Sequence, residues 1–216
     1  MFDSIKETGI DFLNFLKCPV DVADCNQTSR QKAIRLFSIL AIHIPIMGLC
    51  LTIIFCITEL GSINIENHHL TALLQRFTIL EIVLLVVVLV PFVEELVFRL
   101  YLRFKNNDLA HVIILLASLK RKHNKARTET ALSNFWTNHF RSIFYFSAIL
   151  FGFIHLTNYE YNFAILLLSP ILILPQFIAG LFLGYLRIKY DLVLGYIMHA
   201  IHNGILLTLT LCLSPP

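Results

Sequence analysis

Three short patterns place ionisable and amide side chains inside stretches that are otherwise apolar. The first, PFVEELVFRLYL, carries Glu94, Glu95 and Arg99; the second, FGFIHLT, carries His155; the third, YIMHAIHNGI, carries His199, His202 and Asn203. Glu95 and Arg99 stand four apart, share a helix face and can pair. Glu94 points about 100° away and is left without a partner. His199 and Asn203 also share a face, with His202 about 60° from His199. A charge at membrane depth costs roughly 2.5–3.5 kcal/mol on insertion scales, so it persists where it pairs or lines a wet cavity. At about 1.5 Å of rise per residue, Glu94 lies roughly 15 Å from its helix end, His155 roughly 20 Å, and His199 and Asn203 roughly 14–18 Å. Three helices therefore bring polar groups to one level.

Such a set can hydrolyse an amide. Glu94 with His155 could hold a water and remove its proton, while His199 and Asn203 could donate hydrogen bonds to an oxyanion. No GxSxG or HExxH pattern offers a serine nucleophile or a zinc helix. Glu94, His155 and His199 are nevertheless ligand types that bind zinc, here gathered from three helices. Plainer readings stand beside these. The first pattern could be a snorkelling cluster, His155 a lone buried histidine, and the third pattern polar glue between helices. A transporter or ion-conducting protein would use the same residues as a polar pathway.

The elements that must position these residues are hydrophobic. Of 216 residues, 57% are hydrophobic and only 14% charged, against about 25% charged in a soluble domain. Runs nearly free of charge predict helices near 34–57, 77–104, 141–158, 162–187 and 191–212. The expected fold is an all-α polytopic membrane bundle of about five to seven transmembrane helices, with an amphipathic helix at the N-terminus. Residues 1–30 form that interfacial segment, and 31–216 a single transmembrane domain. Residues 109–119 are apolar but too short to span, and read as an interfacial or re-entrant helix; residues 120–140 read as a polar connection. Pro170 and Pro175 should kink their helix, and Gly180 and Gly184 have the spacing of close helix packing.

Basic clusters alternate with base-poor turns, which places the N-terminus in the cytoplasm. Arg30, Lys32 and Arg35 precede the first span, Lys120 to Arg127 and Arg141 the third, and Arg187 and Lys189 the last. No secretory signal is visible at the start, which with short loops suits a bacterial inner membrane. The five cysteines show no CxxC pair and read as packing residues. A net charge of +3 gives no reason to expect nucleic acid.

In order and spacing, EExxxR, FxxxH and HxxxN on successive helices resemble the CAAX-protease and bacteriocin-processing family. Here they read Glu94-Glu95-Leu-Val-Phe-Arg99, Phe151-Gly-Phe-Ile-His155 and His199-Ala-Ile-His-Asn203. Gln176, Gly180, Gly184 and Tyr185 also resemble the stretch before the family's last motif, and the likeness covers roughly 85–205. It implies a glutamate-dependent intramembrane endopeptidase acting on a membrane-associated protein or peptide within the lipid bilayer. Glu94 and His155 would activate water, His199 and Asn203 would stabilise the oxyanion, and Glu95 and Arg99 would shape the site or contact substrate. Some members are described as metalloproteases, which leaves zinc open. Two features depart from the family: Leu100 stands where Gly usually follows the motif arginine, and the segment 99–141 contains an insertion.

Overall fold

The computed structural model describes residues 2–24, 26–61, 76–107, 111–112, 114–116, 125–160 and 162–213. Most of the described residues are helical, and no strand occurs among them. Helices α1 (Phe2–Lys17) and α2 (Ser29–Leu60) come first. A composite rod follows: α3 (Ile79–Ile82), a π-helical segment (Val83–Leu89) and α4 (Val90–Arg99). Then come α5 (Lys125–Ile154), α6 (Phe163–Leu172), α7 (Leu174–Lys189) and α8 (Leu192–Leu213). Four stretches are long and apolar enough to cross a membrane: Ser29–Leu60, Ala126–Asn158, Phe163–Lys189 and Leu192–Cys212. The composite rod has about the same length, roughly 30 Å at helical rise, but changes geometry along its course.

Local chemistry sets most of the helix ends. Thr28 caps α2 and Thr78 caps α3, each in a reciprocal box with the side chain three residues on, Gln31 and Glu81. Asn162 accepts from the Ile165 N–H to start α6, and Asp191 accepts from Leu194 to start α8. The break in the predicted 162–187 helix falls at Ile173, between Pro170 and Pro175. The expected kink is therefore a break between two helices.

Helix α7 is the hub. It packs against α1, α2, α4, α5, α6 and α8, and Ala179 to Ile188 are all buried. Its closest neighbour is α5, and small residues bring the two together. A Cβ on Gly180 would lie 3.1 Å from the Cα of Ala148, and one on Gly184 would lie 2.7 Å from the Phe144 ring. Without a hydrophobic drive between helices in lipid, such van der Waals contact is what holds them. The same economy operates at Gly152, where a Cβ would meet the Ile173 carbonyl at 3.2 Å and the Phe177 nitrogen at 3.3 Å. The break between α6 and α7 thus nests against α5 one turn before His155.

Two expectations change. Helix α5 begins at Lys125, so most of the predicted polar connection is helix continuous with the span. Its physical reason is aromatic: Trp136 meets Phe104, and Phe140 and Phe144 are buried in the core. Helix α1 is amphipathic as expected, but its apolar face meets protein. It crosses three helices in turn, with Thr8 bonded to Arg35 of α2, Phe12 stacked on Phe182 of α7, and Phe15 edge-on to Phe144 of α5. Phe2, Ile10 and Leu13 remain exposed on its outer side. The predicted interfacial segment 109–119 lies largely outside the described residues; His111, Val112 and Ile114 to Leu116 are described, and they are helical. Cys25 and most of the base-free loop after α2 also lie outside them.

The Gly180 contact has a direct test. Gly180→Val puts branched carbon against the backbone of Ala148, and overpacking of this kind costs about 1–3 kcal/mol. The variant should unfold at a lower temperature than the parent in detergent, whereas Gly48→Ala, which meets nothing within 4 Å, should leave the midpoint in place.

Candidate active site

Proline decides the shape of the rod that carries the carboxylates. In the π-helical segment hydrogen bonds span five residues, as from the Val90 N–H to the Leu85 carbonyl. At that spacing the partner of the Val86 carbonyl is residue 91, and Pro91 has no N–H. The orphan carbonyl is met from another helix: the Asn203 amide donates to it at 3.0 Å. Tyr196 of α8 approaches the Val88 carbonyl in the same way at 3.4 Å. Wide π turns commonly mark functional sites, and here one ties the glutamate-bearing rod to the histidine-bearing helix.

The other end of the rod is held as well. Ser147 donates to the Phe98 carbonyl at 2.8 Å. Arg187, buried within α7, donates through Nε to the Arg99 carbonyl and through a terminal nitrogen to the Leu100 carbonyl, both at 3.0 Å. These are the carbonyls a helix leaves unsatisfied at its C-terminus. The sequence counts Arg187 among the bases that flank a span; the structure buries it and makes it a cap.

Between the two ends, the four principal candidates come together. Glu94, His155 and Asn203 line one cavity of about 500 Å³, whose walls are otherwise mostly apolar. His199 lies just behind, only 3% exposed. Its Nε2 is 3.3 Å from Glu94 Oε2 and its Nδ1 is 3.1 Å from Glu95 Oε1. His155 Nε2 faces Glu94 Oε1 at 3.9 Å, too far for a direct hydrogen bond. His155 Nδ1 sits 2.7 Å from the Phe151 carbonyl. A carbonyl only accepts, so Nδ1 bears the proton, and Nε2 faces the cavity, offering a lone pair there when the ring is neutral.

Glu95 and Arg99 share a face, as their spacing requires, but their contact is loose. Arg99 Nε lies 3.9 Å from Glu95 Oε1, with both side chains essentially fully buried. The guanidinium forms no hydrogen bond among the described residues and instead lies 4.0 Å from the centroid of the Phe151 ring, a cation–π contact. Glu95 is therefore shared between Arg99 and His199, and His199 is the nearer. The fit depends on Gly195, where a Cβ would stand 3.2 Å from Glu95 Oε2.

His202 turns away from this group. Its Nδ1 meets Nε2 of His43 on α2 at 3.2 Å, in a buried pair. Nothing in the third pattern separates His202 from His199 by role; only the packing of α2 does. Gln176 and Asn158 also line the cavity. Gln176 stands out in the sequence only through the family likeness, and Asn158 does not stand out at all. Glu94, His155 and His199, the set zinc would need, form no group that could hold a metal ion, and no other group of three His, Cys, Asp or Glu does so among the described residues.

A model of the type II CAAX prenyl endopeptidase Rce1-like family matches residues 76–205. The match runs from just before the composite rod to just past Asn203 and leaves α1 and α2 outside. None of the curated proteins and no solved structure matches the chain.

The cap at the end of the rod makes a measurable demand. Arg187→Met keeps the apolar stem but strips two buried carbonyls of their donor, at about 1–3 kcal/mol for each group left unsatisfied. The thermal midpoint should drop well below that of the parent, and Arg30→Met, on the exposed first turn of α2, should not lower it.

Proposed function

The chain belongs to the type II CAAX prenyl endopeptidase Rce1-like family, and we propose on that footing that it is an intramembrane endopeptidase. In this reading it cleaves a peptide bond in a membrane-associated protein or peptide, with prenylated C-a-a-X chains as the first substrate class to test. The observation that carries the reading is the placement of Glu94 at the wall of a cavity shared with His155 and Asn203, backed by a fully buried network.

Glu94 and the Nε2 lone pair of His155 are both acceptors 3.9 Å apart. A water between them donates one hydrogen to each and turns its own lone pairs toward a substrate carbonyl. Glu94 takes the proton as the water oxygen bonds to the carbonyl carbon, and later gives it to the amide nitrogen as the C–N bond breaks. The products are a carboxylic acid and an amine. Asn203 has two N–H hydrogens; one goes to Val86, and the other is available to the oxyanion. The sequence expectation gave His199 the same oxyanion role. Both its nitrogens instead face carboxylates, which suits holding Glu94 in place. Glu95, facing both His199 and Arg99, then completes the set behind Glu94. No step needs a metal.

The alternation of basic and base-poor segments supports a cytoplasmic N-terminus. The purified protein, reconstituted in liposomes, should cleave a fluorogenic farnesylated C-a-a-X peptide. Glu94→Gln should lose about 10²–10⁴-fold in kcat with a thermal midpoint near the parent, and Asn203→Leu about 10²–10³-fold with a lower midpoint, because the Val86 carbonyl loses its donor. Undiminished cleavage by Glu94→Gln rejects the reading. Glu94-dependent ion or solute flux without any peptide cleavage would establish a transport function in its place.

A further inference from the structure

The cavity holds more polar groups than hydrolysis uses. Beyond Glu94, His155 and Asn203, its polar lining consists of Thr157, Asn158, Gln176 and Thr210. The two threonines are already engaged: Thr157 donates to the Ile154 carbonyl at 2.7 Å and Thr210 to the Leu206 carbonyl at 3.0 Å. The carboxamides of Asn158 and Gln176 hydrogen-bond to no other described residue. Each is half-buried in a cavity whose walls carry Val86, Val90, Val93 and Val97. Amides set among apolar walls need partners, and the described residues offer none.

Their position is built. Asn158 closes the 3-10 turn His155–Asn158 that follows α5. Gln176 stands in the first turn of α7, just past the break at Ile173. Gly152 brings these two elements together, since a Cβ there would lie 3.2 Å from the Ile173 carbonyl and 3.3 Å from the Phe177 nitrogen. Both carboxamides thus face the cavity that Glu94 and His155 face.

A carboxamide offers one acceptor and two donors in one plane, the complement of a peptide group. Among the described residues the lining contains no lysine or arginine, and neutral amide groups are what these two side chains complement. We propose that Asn158 and Gln176 form a subsite that grips the backbone N–H and C=O groups of the substrate, fixing the peptide in register with Glu94. This inference rests on the hydrolase reading and adds to it a pair of residues that read peptide backbone and not side chains.

Binding can be measured without turnover. The probe is a dye-labelled farnesylated C-a-a-X peptide, titrated against Glu94→Gln protein in nanodiscs and followed by fluorescence anisotropy. Adding Gln176→Met or Asn158→Leu should weaken binding about five- to tenfold each, the scale of one hydrogen bond to a buried amide. A series of peptides with single backbone amides replaced by esters locates the contacts. One ester should weaken binding to the Glu94→Gln parent yet cause no further loss in the variant whose partner it removes, which is the signature of direct coupling. If Gln176→Met fails to fold, Gln176→Glu keeps the size and removes the N–H donors. Unchanged affinity in these variants, strictly additive ester effects at every position, or no measurable binding overturns the subsite. Normal binding by Gln176→Met and Asn158→Leu, with cleavage still dependent on Glu94, would overturn the subsite alone; cleavage independent of Glu94 would overturn the hydrolase reading.

Discussion

Ionised groups cannot stand alone at membrane depth, and the architecture answers that constraint around one helical turn. Glu94, Glu95 and Arg99 come from the same short segment, so a single rod carries two carboxylates and a guanidinium into the bundle. His199 from α8 bridges the two carboxylates at 3.3 and 3.1 Å. The Phe151 ring from α5 covers the guanidinium at 4.0 Å. Neither solution exists on the rod itself. The charges are compatible with the membrane only in the assembled bundle, which links stability of the fold to formation of the site.

The rod is held against rotation for a related reason. Its interior is irregular: a π segment before Pro91 and a 3-10 turn after Arg99 both leave carbonyls without helical partners. In lipid these must be met by protein. Asn203 meets one end, and Ser147 and Arg187 meet the other. These donors come from α8, α5 and α7, so the azimuth of Glu94 is fixed by three helices. Asn203 has a double place in this scheme, tying down the rod while facing the cavity.

Glycines and prolines supply the space. Gly180 and Gly184 bring α7 onto α5, Gly152 admits the break between α6 and α7, and Gly195 admits the Glu95 carboxylate. Each is a close approach of one segment to another, and each serves the level at which the cavity lies. The aromatic face of α1 then straps α7 and α5 from outside through Phe12 and Phe15.

The sequence by itself determined the membrane character, the all-α class, the rough position of the long helices, and the identity of the polar residues that gather at the site. Those follow from composition and from a helical period, which are local properties. The common level of Glu94, His155 and Asn203 was also legible, because helical rise converts residue counts into depth. The tertiary structure decided which partner each group takes. Glu95 and Arg99 were readable as a pair by spacing, yet His199 is the closer partner of Glu95, and its distance depends on how α8 packs. His202 looked equivalent to His199 until α2 placed His43 beside it. Arg187 looked like a topology marker, since a basic residue near a span end reads the same whether it snorkels or caps a buried helix. The cavity and its two open carboxamides, Asn158 and Gln176, come from three separate elements meeting in space, and no period along the chain records that meeting.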